Sequence, residues 1–226
     1  MPRIWSDLSC CCDWSALFWT ARPRDRRVRP RHLEALRQPI ETGKVHISRV
    51  KATITYPCRF TLVAAMNPCP CGYFGTDRCR CSEKDVKKYQ QKLSGPILDR
   101  IDLQVELDRL TLEERFAEAE PDVSPRLRAR VESARDLQRT RFAGTSIPHN
   151  SAIPGGHVSD YCRFSPDGLR HYKHIIDRTS LTTRSMDRLA KVARTIADLG
   201  PSESVTPDHV QEASTFVVGG LLRDAF

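Results

Sequence analysis

The stretch Phe60 to Cys81, FTLVAAMNPCPCGYFGTDRCRC, restricts the fold of this chain more than any other. It opens on a nearly unbroken apolar run: Phe60, Leu62, Val63, Ala64, Ala65 and Met66. Such a run is the pattern of a strand covered on both faces, a central strand of an α/β sheet. The strand stops at Asn67-Pro68, because proline has no N–H to give to a ladder. Asn67 is thereby presented at the carboxyl end of a central strand, where open α/β sheets place ligand-contacting groups. Four cysteines follow at once, Cys69, Cys71, Cys79 and Cys81, with Gly75 in the turn between the pairs.

Four thiolates this close, paired across a turn, can meet at one tetrahedral zinc. The single-residue gaps within each pair are tighter than the roughly two to four residues usual in zinc sites. The other reading is unpaired structural cysteine, or one or two disulfides. The chain's nine cysteines are an odd count, so a single disulfide framework cannot use them all. The amino-terminal residues carry Asp7, Asp13 and a cysteine triplet among the apolar ones, which is not the pattern of a secretory signal. No stretch has the apolar length of a membrane span. The expected compartment is therefore the cytoplasm, where paired cysteines read as metal ligands. Zinc held by four protein thiolates has no open position, so its expected role is structural. Cys58 and Cys162 read as small buried hydrophobes.

The formal net charge is +8, and the first fifty residues hold ten Lys and Arg against five Asp and Glu. An excess of this size fits a polyanionic partner such as nucleic acid, and fits equally a charge that only keeps the protein dispersed.

Residues 1–31 show no helical or strand period. They combine the cysteine triplet, all three tryptophans and an Arg-Pro run, and read as a basic nucleic-acid arm or, better, as a leader that packs nowhere. Order is expected from His32. Leu33, Leu36 and Ile40 are spaced for a helix that Thr42-Gly43 closes and Pro39 distorts. VHISR and VKATITYP alternate in polarity and read as a hairpin leading into the central strand. Lys44, Arg49 and Lys51 decorate it, as phosphate contacts or as a charged edge that discourages aggregation. SEKDVKKYQQKL reads as a helix begun by Ser82, with Asp85 standing in for the usual capping Glu or Gln. Ile97 to Ile101 form an apolar turn, and Leu103, Val105 and Leu107 alternate as a last strand. Arg100, set among aliphatics, must find an anion or reach out of the fold. Residues 109–124 are an acidic linker. Beyond them lie a charged helix over 125–142, a loop over 143–158 and a helical segment from Cys162 to Ile176. The strongest helical stripe follows (Met186, Leu189, Val192, Ile196, Leu199), and Thr206-Pro207 opens a final helix to Leu222. The second half is thus a helical bundle.

The run LEALRQPIETGKVHISR…ATITYPCRFTLVAAMNPCPCGYFG…CRC…KYQQKLSGPILDRIDL resembles the bacterial magnesium-chelatase-like AAA+ ATPases, the competence protein ComM (YifB) group. The likeness continues into LTTRSMDRLAKVARTIADL and covers about residues 32–226. It implies the carboxy-terminal half of an α/β AAA+ core over 32–108, with a four-cysteine insertion at about 68–91, and an α-helical lid over 125–226. By the same resemblance, Asn67 matches the sensor-1 asparagine, which orients the attacking water near the γ-phosphate. Arg100 matches the arginine finger that reaches a neighbouring subunit's nucleotide. Arg184 matches the sensor-2 arginine, and the hairpin at 44–57 resembles the pre-sensor-1 hairpin that faces DNA. The implied activity is ATP- and magnesium-dependent branch migration of DNA by a hexameric ring, in transformation and recombination.

The chain departs from that pattern in one respect. It contains no GxxxxGK[ST] loop to cradle phosphates and no apolar strand ending in Asp-Glu to hold magnesium. The expected fold is therefore a truncated core, lacking the phosphate-loop and Walker-B strands, that exposes an apolar edge and depends on a partner. Leu17-Phe18-Trp19-Thr20 stands not far from where the group places Leu-Phe-Leu-Asp-Glu, which suggests a leader in a shifted reading frame. Two other readings stand beside the incomplete motor: a zinc-stapled DNA-binding module without catalysis, and a magnesium chelatase motor subunit. The cysteine cluster argues against the last.

Overall fold

The computed structural model describes residues 15–20, 34–49, 52–91, 95–107, 110–117, 123–179 and 181–218. The chain divides into two units, one running to Ile101 and one from Asp102 to Asp224. The acidic stretch therefore travels with the helical half.

The first unit holds two small sheets. β1 (Ser15–Thr20) lies parallel to β4 (Phe60–Ala65), in a register from Ser15 opposite Phe60 to Thr20 opposite Ala65. This strand falls inside the segment that sequence reasoning left without structure. Its apolar length is too short to show a period, and what organises it is the neighbouring strand. β4 forms as expected but is not covered on both faces: Phe60 and Leu62 are half-buried, and Val63 is 46% exposed. Among the described residues β1 is its one neighbour.

β2 (Lys44–Arg49) and β3 (Ala52–Pro57) form the expected antiparallel hairpin. Ile47 faces Ile54 and Val45 faces Tyr56 on one side. On the other, His46 Nδ1 bonds Thr55 Oγ1 at 2.8 Å and the Ser48 and Thr53 hydroxyls bond at 3.2 Å. Ahead of the hairpin, α1 (Arg37–Thr42) ends on Gly43, whose φ of +62° is the left-handed cap glycine tolerates, and whose N–H reaches the Pro39 carbonyl at 2.9 Å. Pro39 sits buried near the start of α1, and the break falls upstream at Leu36 rather than in the last turn. Proline has no N–H for the carbonyl four residues back, which ends the preceding turn and leaves α1 intact.

α2 (Glu83–Gln90) is capped by Ser82, whose hydroxyl accepts the Asp85 N–H at 3.2 Å. Asp85 does not reach back to the Ser82 N–H as a longer Glu would. Its carboxylate instead accepts from the Ser82 hydroxyl at 2.7 Å. The short α3 (Gly95–Leu98) buries Ile97 and Leu98.

In the second unit, the expected strand at Leu103 to Leu107 is absent. The segment is irregular, and Leu103, Val105 and Leu107 are exposed, Leu107 to 86%. Alternation specifies a strand only when another strand lies beside it. Here Gln104 N–H bonds the Phe216 carbonyl at 3.0 Å, and no ladder forms. The helices follow: α4 (Leu112–Phe116), α5 (Val123–Arg141), a 3₁₀ turn (Asn150–Ala152), α6 (Val158–Cys162), α7 (Pro166–Thr179), α8 (Thr183–Leu199) and α9 (Pro207–Val217). The helix expected across Cys162 to Ile176 is interrupted at Arg163, which takes φ +48°. Ser165 caps α7 by accepting the Gly168 N–H at 3.0 Å, with Pro166 in the first turn where its missing N–H costs nothing. Positions beyond Val218, where the last helix was expected to continue, lie outside the described residues.

α8 is the axis of this unit. Its core contacts come from Leu189 and a small-residue stripe, Ala190, Ala193 and Ala197, all with no exposed surface. Met186, Val192 and Ile196 are only half-buried and pack around that core. Ala193 and Ala197 pack with Val205, Val210, Ala213 and Val217 of the α8–α9 segment, where small side chains allow close approach. Cys162 is fully buried against the other side with Phe142, Ile153 and Val158, as expected of a small hydrophobe, and burial pushes its thiol up to about 12. No helix among the described residues is long and apolar enough to cross a membrane.

Candidate metal centre

The cysteine loop is made by a strand end, two tight turns and a helix. β4 releases the chain, Pro68 prevents further pairing, and Cys69 follows with no exposed surface. Gly72 N–H closes a turn on the Cys69 carbonyl at 3.1 Å, and Cys79 N–H closes another on the Thr76 carbonyl at 2.9 Å. Gly72 takes φ +79°, so the turn that brings Cys71 back over Cys69 needs glycine. From the far side, the buried Gln90 of α2 donates Nε2 to the Pro68 carbonyl at 3.1 Å. The helix after the loop is thus tied to the strand before it.

The sulfurs of Cys69, Cys71, Cys79 and Cys81 all lie within 4.8 Å of one another. Cys69 Sγ is 3.3 Å from Cys71 Sγ and 3.9 Å from Cys79 Sγ, and Cys71 and Cys79 are 3.7 Å apart. A tetrahedron of thiolates about 2.3 Å from zinc has edges of about 3.8 Å, so these separations bracket the required spacing. They are too long for disulfides, whose bond is about 2.05 Å, and all four cysteines are free.

The electrostatics agree with a cation site. The Arg80 backbone N–H directed at Cys71 draws its thiol down to about 6, against the opposing effect of burial. At Cys81 the Cys71 N–H also favours the thiolate. Burial, hydrogen bonds with Cys71 and Cys69, and the Cys69 charge outweigh it and push the thiol up to about 12. Cys79 is raised although the Cys81 N–H opposes this, by burial and by the same sulfur neighbours. A first thiolate is welcome here and further ones are not without a positive charge among them. The donor set therefore suits a soft divalent ion, and it leaves no ligand position open.

The other sequence-derived positions fall as follows. Asn67 is exposed just past the end of β4, and a Cβ at Gly72 would stand 3.5 Å from its Nδ2. The cysteine loop thus passes directly beside the asparagine. Arg100 finds its anion within its own unit: Nη2 bonds Glu41 Oε1 at 2.6 Å, Nη1 donates to the Pro96 carbonyl, and the side chain is only 12% exposed. Lys44 and Arg49 are exposed at the two ends of β2, whereas Lys51 lies outside the described residues. Arg184 is exposed in the first turn of α8, in the other unit. Sequence reasoning did not single out Glu41 or Gln90. Each meets its partner only in the folded unit, and nothing in the local pattern marks either.

Comparison with known proteins gives two family matches. Residues 26–115 match the family described as magnesium chelatase, subunit ChlI, and residues 122–216 match its C-terminal family. The chain is 37% identical over 189 residues to the uncharacterized protein YifB of Escherichia coli (strain K12), covering 82% of this chain and 36% of that protein. It is 35% identical to YifB of Salmonella typhimurium over the same shares. It is also 35% identical over 184 residues to the competence protein ComM of Haemophilus influenzae, covering 80% of this chain and 35% of that protein. The chain therefore spans about a third of the length of the relatives it matches.

Proposed function

The chain belongs to the ComM/YifB family of magnesium chelatase-like proteins, and we propose that it is a zinc-stapled portion of a ring-forming, ATP-driven DNA motor, not a motor by itself. The observation that carries this reading is the placement of Asn67. It stands exposed at the end of β4, beside β1, with the four-cysteine loop against it. A strand-end asparagine held by a rigid staple is suited to orienting a water at a phosphate supplied from elsewhere. Lys44, Arg49 and Lys51 are the candidate DNA contacts of the hairpin, and Arg100 and Arg184 the candidate nucleotide-facing arginines.

Cys69, Cys71, Cys79 and Cys81 would hold the zinc, which would supply a crosslink and no reaction chemistry. The residues do not fit a complete ATP and magnesium site. No phosphate-cradling loop occurs in the sequence, and β1 ends in Trp19-Thr20, which have no carboxylate for a metal. Nucleotide chemistry at Asn67 would thus draw on a phosphate-binding loop and metal carboxylates supplied from outside these residues.

The test mixes the purified full chain with an intact relative, Escherichia coli YifB, and measures magnesium-dependent ATP hydrolysis with and without duplex DNA. The chain alone is expected to be inactive, and Asn67→Ala or Arg100→Ala in the chain to change the rate of the mixture. Hydrolysis by the chain alone would refute the reading. The ion pair of Arg100 with Glu41 favours a second reading, a DNA-binding module that engages no nucleotide. That module would bind DNA in a salt-sensitive way and leave the relative's ATP hydrolysis unchanged.

A further inference from the structure

The second unit carries two exposed surfaces of opposite charge that its own core does not use. The first is an acidic arm. In the sequence, residues 106–116 hold four carboxylates against two arginines, and Glu106, Glu113 and Glu114 are exposed. Leu107, Leu110, Leu112 and Phe116 are all strongly exposed, Phe116 to 78%. The arm is not formless. Thr111 and Glu114 make a reciprocal capping box, with Glu114 N–H on Thr111 Oγ1 at 3.1 Å and Thr111 N–H on Glu114 Oε2 at 2.8 Å. α4 is therefore a defined turn with no buried residue, and Leu112 and Phe116 share one side of it.

The second surface is the leading half of α5. This helix carries six arginines against Glu132 and Asp136. Ala134 and Gln138 are buried in the unit, yet every residue from Ser124 to Ser133 is exposed. Leu127 and Val131 extend the Ala134–Gln138 stripe past the end of the core, with Arg128 and Arg130 beside them. Each surface is thus a short apolar stripe flanked by charge, and the two charges are opposite.

We propose that the acidic arm of one copy, Glu106 to Phe116, docks on the exposed half of α5, Ser124 to Ser133, in a second copy. Leu112 and Phe116 would cover Leu127 and Val131, while carboxylates of the arm meet Arg128 and Arg130. Charge complementarity selects this occupant: an apolar partner would leave the arginines unpaired, and nucleic acid would leave the leucines uncovered. The donor and acceptor patches are different surfaces, so two copies close the contact by exchanging arms, or the contact runs head to tail. This inference does not depend on the cysteine site or on nucleotide.

The test measures the mass of the full chain by light scattering across a concentration series, at low and high salt, for three proteins. These are the wild type, an arm variant (Glu106→Lys with Glu113→Lys) and a helix variant (Arg128→Glu with Arg130→Glu). The wild type is expected to associate, less at high salt. Each variant alone is expected to remain monomeric under the same conditions. An equimolar mixture of the two variants is expected to regain association, because the reversed arm faces the reversed helix and the native arm faces the native helix. A wild-type chain that stays monomeric would overturn the proposal, as when the arm folds back on α5 of its own chain. So would a mixture that associates no more than its components. Unchanged circular dichroism in both variants guards against loss of fold, since all four positions are exposed.

Discussion

Arg194 and Asp198 lie one turn apart on α8, both without exposed surface, with Arg194 Nε 3.1 Å from Asp198 Oδ1. The pair belongs to a larger buried network. Asp198 also accepts from Arg141, at 2.8 Å from Nη1 and more closely from Nη2, and from Asn150 Nδ2 at 2.8 Å. Arg194 turns its remaining donors to the backbone carbonyls of Cys162, Ser202 and Glu203. The ends of α5 and α8 and the 3₁₀ turn thereby meet at one carboxylate.

Removing that carboxylate should be costly. Asp198→Asn keeps the shape but leaves the buried Arg194 and the half-buried Arg141 without their anion, and the expected loss is about 3–5 kcal/mol. A chemical denaturation series on the full chain checks this. The transition reporting helix content should move to clearly lower denaturant, and an unshifted midpoint would contradict the role given to Asp198.

The same group sets an acid limit. Burial alone would raise the Asp198 carboxyl, but hydrogen bonds from Arg141 and Asn150 and the Arg194 charge outweigh it, and the folded value lies below the ordinary 3.8. A depressed carboxylate stabilises the fold above its unfolded value and loses that contribution as pH falls through the folded one. Melting temperatures are therefore expected to be flat, as far as this group is concerned, from neutrality down to about pH 4–5 and to drop below it. In Asp198→Asn this part of the drop should vanish, and an identical acid profile in both proteins would contradict the assignment.

Gly168 offers a test of packing. A Cβ there would stand 2.1 Å from the Val205 carbonyl oxygen, a backbone atom held by the Ser165 N–H at 3.0 Å. Gly168→Ala normally favours a helix, yet here the expected result is destabilisation by about 1–3 kcal/mol. Thermal melting decides, and a stabilised variant would mean that α7 and the Val205 segment are not packed this closely.

Zinc content tests the cysteine loop. The purified chain is expected to carry about one zinc per molecule by emission spectrometry. Cys69→Ser should lose most of it, since Cys69 is the buried member of the set. Cys162→Ser should keep it, because that thiol lies in the second unit's core. Full zinc retention in Cys69→Ser would sink the four-thiolate site.

Much of the candidate site was legible because its chemistry is local. Cys69, Cys71, Cys79 and Cys81 fall within one loop, Pro68 marks the strand end, and Ser82 marks the next helix. The hairpin was legible for the same reason, since its two strands alternate on either side of a short turn. What depended on distant partners was not. Leu103 to Leu107 alternates as a strand does but has no strand beside it, and β1 carries no period yet pairs with β4. In α8 the expected bulky stripe is only partly in the core: Leu189 is fully buried, but so are Ala190, Ala193 and Ala197, which that stripe does not include. Glu41 was invisible as the partner of Arg100, because only the fold joins them.

The β1–β4 pairing bears on the order in which the chain assembles. Its parallel register joins segments that the whole of α1 and the β2–β3 hairpin separate, so closing it means ordering a long loop before any ladder bond is gained. The α8–α9 contacts, by contrast, join helices that follow one another directly. Helical neighbours of this kind form early and parallel pairings late. Of these two contacts, the β1–β4 ladder is therefore the one whose closure costs more chain entropy.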